Sequence, residues 1–181
     1  MLSDEVQAVV VETERLRLRA MTPADAPFIL DLFTQPSFLQ NIGDRGIHSV
    51  ADADAYIVKG PMASYSQRGF GFYVTVLKSS GAAAGICGLI KRDGLGDVDL
   101  GFAFLPEFWS CGYATEAADA VLGTAAEHDL STVLAIVRRD NVGSVRVLQK
   151  VGMQRSGTVR LPSDTIDLEL YARHFEPSEA L

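Results

Sequence analysis

The stretch EFWSCGYATEAADA, Glu107 to Ala120, constrains the fold more than any other part of the chain. An apolar, strand-like run ends at Pro106, and a helix begins a few residues later at Ala-Thr-Glu-Ala. Between them lie Trp109, Ser110, Cys111 and Gly112. A turn of small residues running straight into a helix N-terminus leaves several backbone N–H groups without partners. Aided by the helix dipole, those donors can hold an anion such as a phosphate. The alternative is an ordinary strand-to-helix turn in which Gly112 supplies an awkward backbone angle. The flanking elements decide between the two.

ETERLRLRAM alternates Leu16 and Leu18 with Arg15, Arg17 and Arg19, which predicts a half-buried strand. In TPADAPFILDLF, Thr22 can cap a helix, Pro23 suits its first position and Asp25 stands three residues after the cap. Phe28, Ile29, Leu32 and Phe33 form that helix's apolar face. Ser49 and Asp52 repeat the capping pattern before VADADAYIVKGPMASY, a second helix expected to break near Gly60-Pro61. FGFYVTVLKSSG, AAAGICGLIKRDG and DVDLGFAFLPEF read as three strands separated by turns. A helix from about Ala114 to His128 carries Ala117, Ala118, Val121, Leu122 and Ala125 on one face. The uninterrupted apolar run TVLAIV, 132–137, suits an interior strand covered on both sides. NVGSVRVLQKVGM is a shorter amphipathic helix, QRSGTVRL and TIDLELYAR form a last hairpin, and HFEPSEAL is expected to be a loose tail.

The order is therefore β-α-α-β-β-β-α-β-α-β-β, a mixed α/β fold with a mostly antiparallel sheet and helices on both faces. Strands joined by tight turns should be antiparallel. The two joined through the helix after Gly112 should be parallel. A ligand crevice belongs at the C-terminal ends of that pair, which is where WSCGYAT falls. Position favours the anion-site reading.

At 181 residues, the chain suits one domain over 1–181, with a core from about Glu12 to Arg173 and short loose termini. No internal repeat or linker divides it. Hydrophobic residues are 48% and charged residues 22%, as in soluble globular proteins. The absence of a membrane-length apolar run, and of a basic start and cleavage site in MLSDEVQAVV, predicts a cytoplasmic protein. The formal charge of −7 argues against binding nucleic acid or anionic membrane and is compatible with a cationic substrate such as an amine. Cys87 and Cys111 form no CxxC pattern, and His48, His128 and His174 are scattered, so neither a disulfide framework nor a metal is expected. His128, near a helix end, reads as structural.

The sequence has no Walker ending, and no GxGxxG follows its first strand. It does resemble the GNAT superfamily of acyl-CoA-dependent N-acetyltransferases, most nearly the RimJ/RimL branch of ribosomal-protein-alanine acetyltransferases. Three pieces carry the resemblance. ETERLRLRAMTPADAPFILDLF is similar to that branch's opening strand and helix. DLGFAFLPEFWSCGYATEA is similar to the strand, loop and helix that hold the pyrophosphate of acetyl-CoA. RRDNVGSVRVLQKVGM is similar to a later segment with an Asn, a Ser three residues on and a terminal Gly before an apolar residue. In the family's Q/R-x-x-G-x-G/A loop, Gly112 and Ala114 fill the last two fixed places, while Trp109 stands where Gln or Arg is usual, a replacement familiar in the RimJ/RimL branch. Cys111 departs from a commonly basic residue and leaves the anion to backbone donors. A reactive thiol there has no nearby base in sequence, so a small loop residue is the simpler reading of Cys111.

The resemblance implies a sheet whose parallel pair splays around acetyl-CoA. Trp109, Ser110, Cys111, Gly112, Tyr113, Ala114 and Thr115 would hold the pyrophosphate, and Asn141 would contact the pantetheine arm besides capping its helix. A backbone N–H among Phe102, Ala103, Phe104 and Leu105 would meet the oxyanion. Lys150, with Arg146, could attract the nucleotide phosphate, although such spacing also suits a solvated face. Asp99 aligns with an acidic place, commonly Glu, and is the candidate base; Asp97 could share its face. The family's usual tyrosine falls at Leu148 and is absent. Ser144 is the candidate acid, or a first-turn residue meeting its own backbone. Glu116 suits the helix dipole and reads as structural.

The implied reaction is direct acetyl transfer in a ternary complex to a primary amine, with the α-amine of a protein N-terminus as acceptor. A small-molecule amine (polyamine, amino acid or antibiotic) and a non-catalytic acyl-CoA-binding module are the alternatives. Acceptor contacts are expected from about Phe33 to Ile47 and from Arg155 to Asp167. Oligomeric state is open, a homodimer included.

Overall fold

A computed structural model describes residues 9–176, and in it eight strands form one sheet in the order β1-β2-β3-β4-β5-β6-β8-β7. The strands are β1 (Val9–Glu12), β2 (Leu16–Arg19), β3 (Phe72–Leu77), β4 (Ala83–Ile90), β5 (Asp99–Phe104), β6 (Thr132–Val137), β7 (Gln154–Val159) and β8 (Leu168–His174). Every pair is antiparallel except β5 and β6, which are joined through a helix and run parallel. The mixed α/β fold is thus the expected one. β1 was not expected: Val9 and Val10 are exposed, so the strand lacks the alternation that marks a half-buried one. The expected loose tail begins inside structure as well, since His174 ends β8 and the Phe175 N–H donates to the Ser131 carbonyl at 2.9 Å. Its last residues, 177–181, lie outside the described residues.

Before β3 come α1 (Ala26–Thr34), α2 (Pro36–Asn41), α3 (Val50–Ile57) and α4 (Ala63–Arg68). The caps form largely as the sequence implies. The Asp25 carboxylate accepts the Thr22 N–H at 2.9 Å, and the Ser49 hydroxyl accepts the Asp52 N–H at 3.1 Å. The expected break at Gly60-Pro61 is absent. A wide π-turn over Val58–Met62 carries the chain from α3 into α4 and accommodates the missing Pro61 N–H without ending the helix.

After β5, a loop leads into α5 (Tyr113–Gly123), and α6 (Val142–Lys150) follows β6. The helices cover opposite sheet faces. Ala117, Ala118, Val121 and Leu122 of α5 and Leu148 of α6 join Leu16, Leu18, Leu100 and Val133 in one apolar cluster. Ile29, Leu32 and Phe33 of α1 and Ile57 of α3 join Val74 and Ile86 in the other. β6 is interior but not covered equally: Val133, Ala135 and Val137 are buried, whereas Leu134 and Ile136 are half-buried. The reason is the cleft beside β5.

Candidate active site

The parallel pair meets at a single register position, Asp99 opposite Leu134, with the Leu134 N–H donating to the Val98 carbonyl at 2.9 Å. Beyond that point β5 and β6 diverge. In a strand, alternate residues turn their backbone groups to opposite edges. Leu105 donates its N–H to Ala84 on the β4 side at 2.9 Å, so Ala103 shares that edge and its donor is directed at β4. Phe102 and Phe104 therefore direct theirs into the gap. Of the four candidate oxyanion donors, two remain for that role. The Phe104 carbonyl on the gap side accepts the Trp109 indole N–H at 2.9 Å, folding the loop back onto the strand end.

That loop is built for an unusual turn. Ser110 and Gly112 both take left-handed backbone angles, with φ of 59° and 82°. Gly112 caps α5 in that conformation, which a glycine adopts at no steric cost. The first α5 bond runs from the Glu116 N–H to the Gly112 carbonyl at 3.0 Å, so the donors of Tyr113, Ala114 and Thr115 precede any acceptor the helix can offer. The Cys111 thiol is exposed and lies 3.3 Å from the Trp109 carbonyl.

A clamp that the sequence reading did not find holds this turn. Glu116 accepts from the Thr13 hydroxyl at 2.5 Å, the Arg15 N–H at 2.9 Å and Arg15 Nε at 2.7 Å. Arg15 Nη1 then donates to the Cys111 carbonyl at 2.9 Å, and its guanidinium lies 4.6 Å from the centre of the Tyr113 ring. These bonds hold the Glu116 carboxyl below its ordinary value, although partial burial opposes them. The structural reading of Glu116 acquires its partners here.

Against the gap lies a cavity of about 510 Å³. Phe102, Ala103, Asn141 and Ser144 line it, and both expected acceptor segments contribute, Phe38 to Arg45 among the first and Leu161 to Ile166 among the second. The Asn141 side chain accepts the Ser144 N–H at 3.2 Å, as a cap should, and the Ser144 hydroxyl is left to the cavity. Lys150 is exposed at the far end of α6.

Asp99 is placed differently from expectation. Its side chain is 0% exposed, it does not line the cavity, and both its oxygens accept from Arg92 Nε, at 3.1 and 2.9 Å. Burial pushes its carboxyl up to about 6, with the Arg92 guanidinium opposing the rise. Asp97 is exposed ahead of the strand. Arg92 stands near the end of AAAGICGLIKRDG, which reads as a strand, and the sequence reading assigns it no role; the hairpin register, Ile90 opposite Asp99, sets the residues just after β4 beside the start of β5.

Among the described residues, no group of three or more His, Cys, Asp or Glu side chains could hold a metal ion, and no helix is long and apolar enough to cross a membrane.

Residues 15–154 match the family model of the acetyltransferase (GNAT) domain. The N-acetyltransferase YoaA of Bacillus subtilis (strain 168) is 28% identical over 154 residues, covering 83% of this chain and 86% of that protein. An acetyltransferase structure from Agrobacterium tumefaciens str. C58 is similar at a TM-score of 0.77 and 26% identity, over 93% of this chain and 96% of that one. RimL, a ribosomal alpha-N-protein acetyltransferase solved in complex with coenzyme A, is similar at a TM-score of 0.78, over 92% and 98% of the two chains. At 19% identity that last likeness speaks for the fold alone. A matching model over most of the sequence, joined to a splayed parallel pair with a left-handed, glycine-capped turn at its end, identifies the chain: it belongs to the GNAT acetyltransferase family.

Proposed function

We propose that the protein, acting as a single domain over 1–181, transfers the acetyl group of acetyl-CoA directly to a primary α-amine while both substrates are bound. The observation that carries this reading is the divergence of β5 from β6 just beyond Asp99 and Leu134, with a cavity lying against it. The residues present fit such a donor. Backbone N–H groups at the start of α5 suit the pyrophosphate, Lys150 suits the nucleotide phosphate, and the Asn141 amide suits the pantetheine arm. Acetyl-CoA supplies the acetyl group and a thiolate leaving group. A supply of acetyl-CoA also supports a cytoplasmic setting.

The Phe102 and Phe104 N–H groups face the gap by backbone parity, and one of them meets the negative charge developing on a carbonyl oxygen. A pre-aimed donor of this kind is worth roughly 3 kcal/mol. The Ser144 hydroxyl, in the cavity wall, donates a hydrogen bond to the departing sulfur. Asp99 is buried and committed to Arg92, so in this reading it positions Arg92 and is not the base. An α-amine needs little help in any case: with a pKa of about 8, roughly a tenth is neutral at pH 7. Water in the cavity suffices to take its proton.

The RimJ/RimL resemblance supports a protein N-terminus as the bearer of that amine. A small-molecule amine (polyamine, amino acid or antibiotic) is the second reading; among these, the cationic groups around the cavity favour an amino acid, whose carboxylate they can pair. The test couples binding to turnover. Acetyl-CoA at about 100 times its dissociation constant should stabilise the fold by about 2.7 kcal/mol, seen as a rise in Tm that ATP does not reproduce. Ser144→Ala should lower kcat by about 100-fold and leave acetyl-CoA affinity within about threefold. An unchanged kcat would remove Ser144 from the mechanism. A missing rise in Tm would remove the cofactor cradle.

A further inference from the structure

The part of the cavity away from the cofactor loop is basic, although the chain as a whole carries −7. Arg92 lines it with a side chain 24% exposed. Its Nε is held by both oxygens of the fully buried Asp99, and among the described residues its two terminal nitrogens meet no acceptor. A guanidinium tethered through Nε presents its other edge as a fixed fork, the geometry that matches a carboxylate. Arg45, exposed, lines the same cavity and among the described residues donates only to the Ile42 carbonyl, at 3.3 Å.

Tyr56 shares the wall, and no partner meets its hydroxyl among the described residues. Arg45 and Arg92 line the same cavity as that phenol, and both act on it electrostatically. Its ring is fixed by Phe33 at 5.0 Å, which stacks in turn on Phe38 at 4.3 Å. The remaining charged groups on the lining are Arg138, already paired with Asp140 at 3.0 Å, and Asp164. Two guanidiniums and a phenol O–H thus share a cavity in which Asp164 is the one carboxylate among the lining residues, and neither guanidinium is paired with it.

The position along β5 is equally telling. The cofactor loop leaves the strand after Phe104, whereas Arg92 is anchored at Asp99, about 17 Å away at 3.3–3.4 Å per residue. A donor entering at one end of the gap leaves the other end to the acceptor.

We propose that Arg92, with Arg45 and Tyr56, is the receptor for a carboxylate on the acceptor, so that the substrate is an α-amine that also bears an anionic carboxyl group. This rests on the acetyltransferase reading above and names its substrate class. Arg92 is the specificity-determining residue, and Asp99 positions it. The aromatic wall beside the receptor, Phe33 and Phe38, favours an apolar side chain on the acceptor. The carboxylate has two sources, the α-carboxyl of a free amino acid or an acidic side chain near a peptide N-terminus.

The experiment uses the full chain with acetyl-CoA and reads coenzyme A release. One arm compares L-phenylalanine with phenylalaninamide and phenethylamine. The other compares two short peptides identical except for Asp or Asn at the second position. The carboxylate-bearing member of at least one set should have a kcat/KM higher by tenfold or more. Arg92→Gln should abolish that preference by raising acceptor KM, with the KM for acetyl-CoA unchanged, and Arg92→Lys should restore only part of it. Amides and carboxylates used equally well, or a preference that survives Arg92→Gln, would overturn the receptor while leaving the acetyltransferase intact. Should no amine release coenzyme A, the parent reading fails, and the receptor is judged by binding alone. N-acetylphenylalanine must then raise Tm where N-acetylphenylalaninamide does not, and equal shifts would overturn it. If Arg92→Gln does not fold, Arg45→Gln and Tyr56→Phe carry the same test.

Discussion

At the scale of single residues, Asp99 shows how burial bears on a role. A carboxylate on a central strand beside the cleft reads from sequence as a general base. Its placement at 0% exposure with both oxygens on Arg92 supports instead the proposed role of positioning Arg92. The consequence can be measured through pH. Burial raises its pKa from an ordinary 3.8 to about 6, so the folded state favours the protonated form more than the unfolded chain does. The associated stability is fully present below pH 4 and is lost as pH rises through 6. At 1.36 kcal/mol per pH unit, the loss is about 3 kcal/mol. Asp99→Asn has no such titration. Denaturant unfolding at pH 4 and pH 7.5 should therefore show wild type losing about 3 kcal/mol relative to Asp99→Asn between the two. A difference that stays flat would mean that Arg92 fully offsets the desolvation of the carboxylate. Asp99 is nonetheless ionised at neutral pH, which is the state that holds the Arg92 fork.

At the scale of elements, the proposed cofactor loop is a three-part device in which α5, β5 and the turn before β2 are tied together. Trp109 fastens the loop to the end of β5 through the Phe104 carbonyl, and Glu116 fastens α5 to Arg15, which in turn holds the Cys111 carbonyl. Glu116→Gln keeps one acceptor but loses the charge that pairs with Arg15. Charge-assisted bonds at a partly exposed site contribute about 1–2 kcal/mol, so acetyl-CoA affinity should fall about tenfold as the turn loosens. The kcat at saturating acetyl-CoA should stay within about twofold, because nothing in the clamp touches the reacting atoms. Calorimetric titration with acetyl-CoA and steady-state kinetics check both halves; a loss in kcat with affinity intact would contradict the positional role. The device also marks what sequence could convey. Apart from β1 and α2, the order of elements was legible, as were the parallel pair, the Ser49 and Asn141 caps and the turn at Gly112, because each depends on local pattern. The partners Thr13 and Arg15 lie about a hundred residues from Glu116 and obey no periodicity. β1 escaped because Val9 and Val10 both face water, and the π-turn at Pro61 escaped because a proline in a helical pattern ordinarily signals a break.

At the scale of the whole molecule, the sheet is two ladders joined weakly. The first runs from β1 to β5 and the second comprises β6, β8 and β7; one register pair links them, with α5 and α6 bridging on one face. A single strand contact is a thin connection, and regions with few backbone bonds open more readily than the ladders beside them. A ligand bound in the gap supplies partners to backbone groups that lack them and spans both ladders, so its effect on amide exchange should be local. Saturating acetyl-CoA should slow exchange at Phe102, Phe104 and Ile136 and at the first turn of α5, by tenfold or more where exchange proceeds through local opening. Amides within β3 and β4, already paired on both sides, should change only as far as global stability rises. Hydrogen exchange followed by NMR or by peptide-resolved mass spectrometry distinguishes the two patterns. Protection spread evenly over both ladders would mean that the ligand stabilises the fold without bridging the gap, and the divergence of β5 from β6 would lose its place as the seat of the cofactor.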